Sequence, residues 1–143
     1  DGTLASVLCQ PAGGSRLPAS AETVAAMAHT VHMEGNTVFK HAVTTMSEAA
    51  VQAMARAGVR PDQVDLLIPH QANTRIMEAA RARTGVPIDR LFSIVERHGN
   101  MSAATIPVAL DEAREQGRIK DGDIVVMTAF GTGFTWAASV LRC

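Results

Sequence analysis

One helical stretch, Asn36 to Ala57, constrains this chain more than any other feature. Val38, Phe39, Ala42, Val43, Met46, Ala49, Ala50, Ala53, Met54 and Ala57 recur at helical spacing and form one wide apolar face. Asn36 is placed to cap the helix and Gly58 to stop it. About 21 residues at ~1.5 Å each make a rod of roughly 30 Å. Its alanines allow a neighbouring backbone to approach closely, so a central helix between two layers is expected, in a layer shared with another domain. Lys40, Thr44, Glu48, Gln52 and Arg56 include its wetter positions.

Strands and helices alternate around this rod. Leu4 to Cys9 reads as a strand and Pro11 to Ser15 as a turn. Residues 15 to 35 have no firm period: Ala19-Ser20-Ala21-Glu22 can start a short helix, while Thr30 to Met33 alternates like a strand. Asp65-Leu66-Leu67-Ile68 is too short for a helix and reads as a buried strand. Pro69 ends it, having no N–H to give to a ladder. Asn73 can cap the next helix, with Ile76, Met77, Ala79 and Ala80 at helical spacing, and Gly85 and Pro87 close it. Leu91 to Val95 reads as a second strand. Ser102 opens a helix reaching about Gln116, with Pro107 near its start where a missing N–H costs little. Asp123 to Ala129 is a third strand, Phe130-Gly131-Thr132-Gly133 a tight turn, and Phe134 to Leu141 a closing strand. This order implies an α/β fold, a layered mixed sheet that is mostly parallel with an antiparallel edge.

Composition narrows the function classes. The 143 residues are 47% apolar and 19% charged, which suits a globular domain with a core. A formal net charge of −1 argues against nucleic acid or an anionic membrane as a main partner. No apolar run approaches the roughly 20 residues of a membrane span. Two cysteines, Cys9 and Cys143, give neither metal-ligand spacing nor a disulfide framework, so a reducing cytoplasm is the expected compartment. The chain opens on Asp1 and runs at once into an expected strand, which suggests a domain cut from a longer polypeptide.

Three strand ends carry polar or glycine-rich turns: His70, then His98-Gly99-Asn100, then Phe130-Gly131-Thr132-Gly133. In a parallel sheet the first two share the carboxyl edge, where α/β proteins bind ligands. His70 as neutral imidazole and Asn100 through its amide can each donate a hydrogen bond to a developing oxyanion. Each position also has a plain structural reading: a satisfied strand-end histidine, a turn asparagine, and glycines that shape a hairpin.

The letters themselves carry a resemblance. Pro69-His70-Gln71-Ala72-Asn73-x-Arg75-Ile76, His98-Gly99-Asn100-x-Ser102-Ala103-Ala104-x-Ile106-Pro107, and Phe130-Gly131-x-Gly133-Phe134-Thr135-Trp136 resemble the C-terminal half of β-ketoacyl-acyl carrier protein synthase III. Gly35-Asn36-x-Val38-Phe39-Lys40 matches the same family, so the likeness spans the chain in order. It implies that residues 1–143 are one half of a thiolase-type fold, five layers built from two similar halves. It further implies an enzyme that loads an acyl group from acyl-CoA onto a cysteine and condenses it with malonyl-acyl carrier protein as CO₂ leaves.

By that resemblance His70 and Asn100 are the catalytic pair that receives the enolate, and Phe130, Gly131 and Thr132 wall the nucleophile and its oxyanion hole. Lys40, Arg75 and Arg83 match basic positions that dock acidic carrier protein or CoA, and Asn36 and Asn73 line the substrate channel. No metal and no cofactor beyond the phosphopantetheine-borne substrates are implied. The complete enzyme is expected to be a homodimer. The nucleophile is the departure. Cys9 has no helix N-terminus behind it to lower its pKa, and Cys143, as the last residue, is expected to fray. The acyl-carrying cysteine is therefore expected in an N-terminal half, and this chain alone is expected to be inactive. Two other readings stay open: a related starter synthase of secondary metabolism, and a non-catalytic half that binds carrier protein.

Overall fold

The computed structural model describes residues 1–143, which divide into two compact units. One comprises Asp1–His41 with Gly131–Thr135, the other Ala42–Phe130 with Trp136–Cys143.

In the first unit the expected strand Leu4–Cys9 is mostly absent. The Asp1 carboxylate accepts hydrogen bonds from the Thr3 amide (2.9 Å) and hydroxyl (2.6 Å), which winds Gly2–Val7 into 3₁₀ turns. Only β1 (Leu8–Cys9) stays extended, paired antiparallel with β2 (His32–Met33). The two readings of residues 15–35 both occur, in sequence. Ser20 caps α1 (Ala21–Ala25), with Ser20 and Thr23 bonding reciprocally, and β2 follows. Helix α2 (Gly35–Ala57) starts two residues earlier than an Asn36 cap implies. The Val38 amide already bonds the Glu34 carbonyl (3.0 Å), so Glu34 takes the cap position and Asn36 lies inside the first turn.

The second unit holds the sheet, in the order β3 (Leu66–Pro69), β4 (Ile124–Gly131), β5 (Thr135–Arg142). β3 and β4 run parallel, with Leu66 opposite Val125 and Pro69 opposite Thr128. β5 returns from β4 after three residues, a connection too short for anything but a hairpin. The sheet is thus mixed, with a single parallel pair of strands rather than a mostly parallel array.

Alternation along β3 and β4 sorts the core into two layers. Leu66, Ile68 and Val125 pack with Ala109 and Ala113 of α5 (Thr105–Glu115) on one face. Leu67 and Val126 pack with Ala50 and Met54 of α2 on the other. Small side chains on both helices bring them close to the sheet. α3 (Thr74–Thr84) is capped by Asn73 and stopped by Gly85 in the left-handed region (φ 80°), as expected.

The expected strand Leu91–Val95 does not form. Leu91 makes one parallel bridge to Leu67, and then the ladder stops. The reason is Gln71, whose buried amide takes the place of the next strand residues. Its Nε2 donates to the Pro69 (2.8 Å) and Phe92 (3.2 Å) carbonyls, and its Oε1 accepts from the Ile94 amide (2.8 Å). Freed from pairing, the chain turns into α4 (Val95–His98). The third helix also begins later than expected: Ser102 sits at φ 55° and opens a 3₁₀ turn, and α5 proper starts at Thr105. Cys143 is not frayed, since its amide and carbonyl bond Asp123 (3.0 Å) and Gly122 (2.7 Å). No helix is long and apolar enough to cross a membrane.

Candidate active site

His70 follows Pro69 at the carboxyl end of β3 and stays in the parallel ladder, its amide donating to the Thr128 carbonyl (2.8 Å). Phe130, buried near the end of the adjacent parallel strand, lies on the same edge. The imidazole is half-buried, and its Nδ1 meets the Thr105 hydroxyl at 2.7 Å. Burial pushes its pKa below the usual histidine value, so the ring is neutral at neutral pH.

Asn100 is held by the 3₁₀ turn that leads into the helix of Thr105. Its Oδ1 accepts from the Ser102 amide (2.9 Å), which consumes the acceptor end of the side chain and leaves the Nδ2 end exposed. His70 and Asn100 are therefore both tied to residues 102–105, one through a side chain and one through a backbone amide. The turn that carries Asn100 has a second tether, because Glu112 of α5 binds both Arg97 and His98. Arg97 first, then His98, hold the Glu112 carboxyl below its ordinary range.

The remaining sequence candidates are distributed. Gly131 ends β4 and Thr132 sits exposed in the turn to β5, its carbonyl accepting from the Thr135 hydroxyl (3.0 Å). The same turn needs glycine at position 133: φ is 143°, and a Cβ there would meet the Thr135 amide at 2.8 Å. Asn36 and Lys40 are exposed on the first turns of α2. Asn73 caps α3 by accepting from the Arg75 amide (2.9 Å), and Arg75 is exposed on that first turn. Arg83 is engaged with α2, donating to the Thr44 hydroxyl (3.2 Å) with Glu48 3.9 Å away. No group of three or more His, Cys, Asp or Glu is arranged to hold a metal.

Sequence reasoning missed Thr105, Gln71 and Glu112. Thr105 and Glu112 fall inside the helix expected from Ser102 to about Gln116, and Gln71 is a letter of the Pro69–Ile76 motif that carries no expected role. Each acts across 14 to 35 residues of chain, a separation that no local spacing encodes. Chemically, the arrangement offers a neutral imidazole and a carboxamide whose acceptor end is already used. Both suit hydrogen-bond donation to an oxygen that gains negative charge.

Comparison with known proteins identifies the family and the fold. Residues 54–143 match the sequence family described as 3-oxoacyl-[acyl-carrier-protein] synthase III C terminal. The β-ketoacyl-[acyl-carrier-protein] synthase III of Caldanaerobacter subterraneus subsp. tengcongensis is 51% identical over 142 residues, covering 99% of this chain and 43% of that protein. The namesake from Desulfitobacterium hafniense is 54% identical over the same span. Among solved structures, the synthase III of Thermus thermophilus superposes with a TM-score of 0.85 at 42% identity, covering 100% of this chain and 43% of that one. The chain thus spans less than half the length of these relatives. Within that span the motifs, the layered fold and the family match coincide, and the chain belongs to the 3-oxoacyl-[acyl-carrier-protein] synthase III C-terminal family.

Proposed function

We propose that this chain is the C-terminal half of a β-ketoacyl-acyl carrier protein synthase III, which condenses an acyl-CoA-derived acyl group with malonyl-acyl carrier protein. The observation that carries the reading is the pair His70 and Asn100, both tied to residues 102–105, His70 through its Nδ1 and Asn100 through its Oδ1. Loss of CO₂ from a malonyl thioester leaves an enolate with its charge on the thioester oxygen. Nε2–H of His70 and Nδ2–H of Asn100 donate to that oxygen, each worth on the order of 3–4 kcal/mol. The backbone N–H near Thr132 serves the acyl-cysteine carbonyl, with Gly131 leaving room for it and Phe130 beside the nucleophile.

The acyl-carrying cysteine comes from an N-terminal half. Cys9 sits in a two-residue strand with its Sγ on the Ser6 carbonyl (3.6 Å), not at a helix N-terminus. The relatives' greater length supports a second half. So does a groove of about 550 Å³ between Ala49, Ala53 and Ala57 of α2 and the strand Trp136–Val140. Lys40 and Arg75 dock the acidic carrier protein, assisted by Arg83, whose guanidinium is partly committed to Thr44 and Glu48.

The test is radiolabelled acetyl-CoA transfer and malonyl condensation. The full-length protein acylates and condenses, this chain alone does neither, and adding the N-terminal half restores both. Stable acylation of the isolated chain contradicts the reading. Carrier-protein binding that is salt-sensitive and lost in Lys40→Glu, with no turnover in the full-length protein, points instead to a binding half.

A further inference from the structure

We propose that Thr105 is a positioning residue that fixes the neutral His70 imidazole in the tautomer with its proton on Nε2. The structural part stands on the geometry alone, and its catalytic consequence rests on the synthase reading above.

A threonine hydroxyl carries one hydrogen and two lone pairs. Thr105 is 1% exposed, and the bond its hydroxyl makes is to Nδ1 of His70, 2.7 Å away. Were Nδ1 protonated, it would donate to the hydroxyl oxygen and strand the hydroxyl hydrogen in the interior, an arrangement that folded proteins avoid. With the hydroxyl donating, Nδ1 is the acceptor and the ring proton is on Nε2. Burial of the ring opposes the imidazolium, the remaining state in which Nδ1 would carry hydrogen.

The tautomer decides what His70 offers a substrate. With the proton on Nε2 the ring presents a donor to an enolate oxygen. The opposite tautomer presents a lone pair, which repels it. Asn100 follows the same logic at the same helix start: the Ser102 amide takes its Oδ1, which leaves the donor end outward. One turn of backbone, residues 102–105, thus orients two donors by occupying their acceptor atoms.

The experiment combines a ring-nitrogen measurement with rates in the full-length protein. Histidine-labelled ¹⁵N spectra of the wild type should show Nε2 protonated and Nδ1 bare. Thr105→Val, which keeps the shape and removes the hydroxyl, should give a mixture of tautomers. It should also lower malonyl decarboxylation about tenfold, by loss of one neutral hydrogen bond, with KM for the acyl-CoA unchanged. Thr105→Ser should restore both. A wild-type ring protonated on Nδ1, or a ring state indifferent to Thr105→Val, overturns the proposal. An Nε2–H ring that shifts in Thr105→Val, in a protein without condensing activity, upholds the proposal and defeats the synthase reading instead.

Discussion

The two units differ in how they keep their shape. In the second, helices α2 and α5 cover opposite faces of β3 and β4, and Leu67, Ile68, Val125 and Val126 are sealed between them. In the first, β1 and β2 are two residues each, and Met27 and Val31 remain 71% and 70% exposed. The second unit is held by burial of apolar area. The first relies more on hydrogen bonds: the Ser20–Thr23 capping pair, the Asp1 cap, the Thr23–His29 contact at 2.9 Å and the bond from the Asp1 amino group to the Phe134 carbonyl (2.6 Å). Phe134 is its largest buried side chain. The difference teaches where function can be built. A side chain that must keep its aim is served by packed surroundings, which half-buried His70 has, while exposed Asn100 lies on a turn that Glu112 tethers through Arg97 and His98.

The largest expected effect sharpens that contrast. His70→Ala, and separately Asn100→Ala, should slow malonyl decarboxylation by roughly a hundredfold or more in the full-length protein. His70→Ala should also cost about 1 kcal/mol in urea unfolding, because it leaves the buried Thr105 hydroxyl without its partner. Next is Gln71→Leu in the second unit. It orphans the Ile94 amide and the Phe92 carbonyl and should cost roughly 3 kcal/mol in urea unfolding. Equal tolerance of Gln71→Leu and of surface changes in the first unit would erase the distinction between the two.

A smaller effect is expected from Ser20→Ala, about 1 kcal/mol for the lost cap of α1. Hydrogen exchange should show that loss locally, around residues 20–30, while β3 and β4 keep their protection.

The smallest concerns pH. Burial depresses the His70 pKa in the folded state, so the unfolded chain binds the proton more readily. Its contribution is complete above the unfolded value, near 6.5, and is lost as pH falls below it toward the folded value. Unfolding at about pH 5 and about pH 7.5, compared between the wild type and His70→Gln, should show a shallower slope in the variant.

How much was legible in the letters follows the same division. α2, β3, α3 and β4 were readable because each buries a face, and burial imposes a period of 3.6 or 2. The first 35 residues bury little, so no period marked them, and the Asp1 cap wound an apparent strand into 3₁₀ turns. Leu91–Val95 misled for another reason: its apolar run is buried, but Gln71 supplies its polar partners in place of a ladder. At the site, His70 was legible as a polar residue at a strand end, whereas Asn100 was marked by its motif alone, since the strand expected before it does not form. Thr105 was not legible, because its role exists only once residues 35 apart have been brought together.

The measurement closest to the central claim is a double-mutant cycle on malonyl decarboxylation in the full-length protein, using His70→Ala, Asn100→Ala and the pair. Two donors serving one enolate oxygen predict that the double variant is little worse than either single one. Independent, multiplicative losses from the two substitutions, or a His70→Ala protein that decarboxylates at the wild-type rate, would contradict the account.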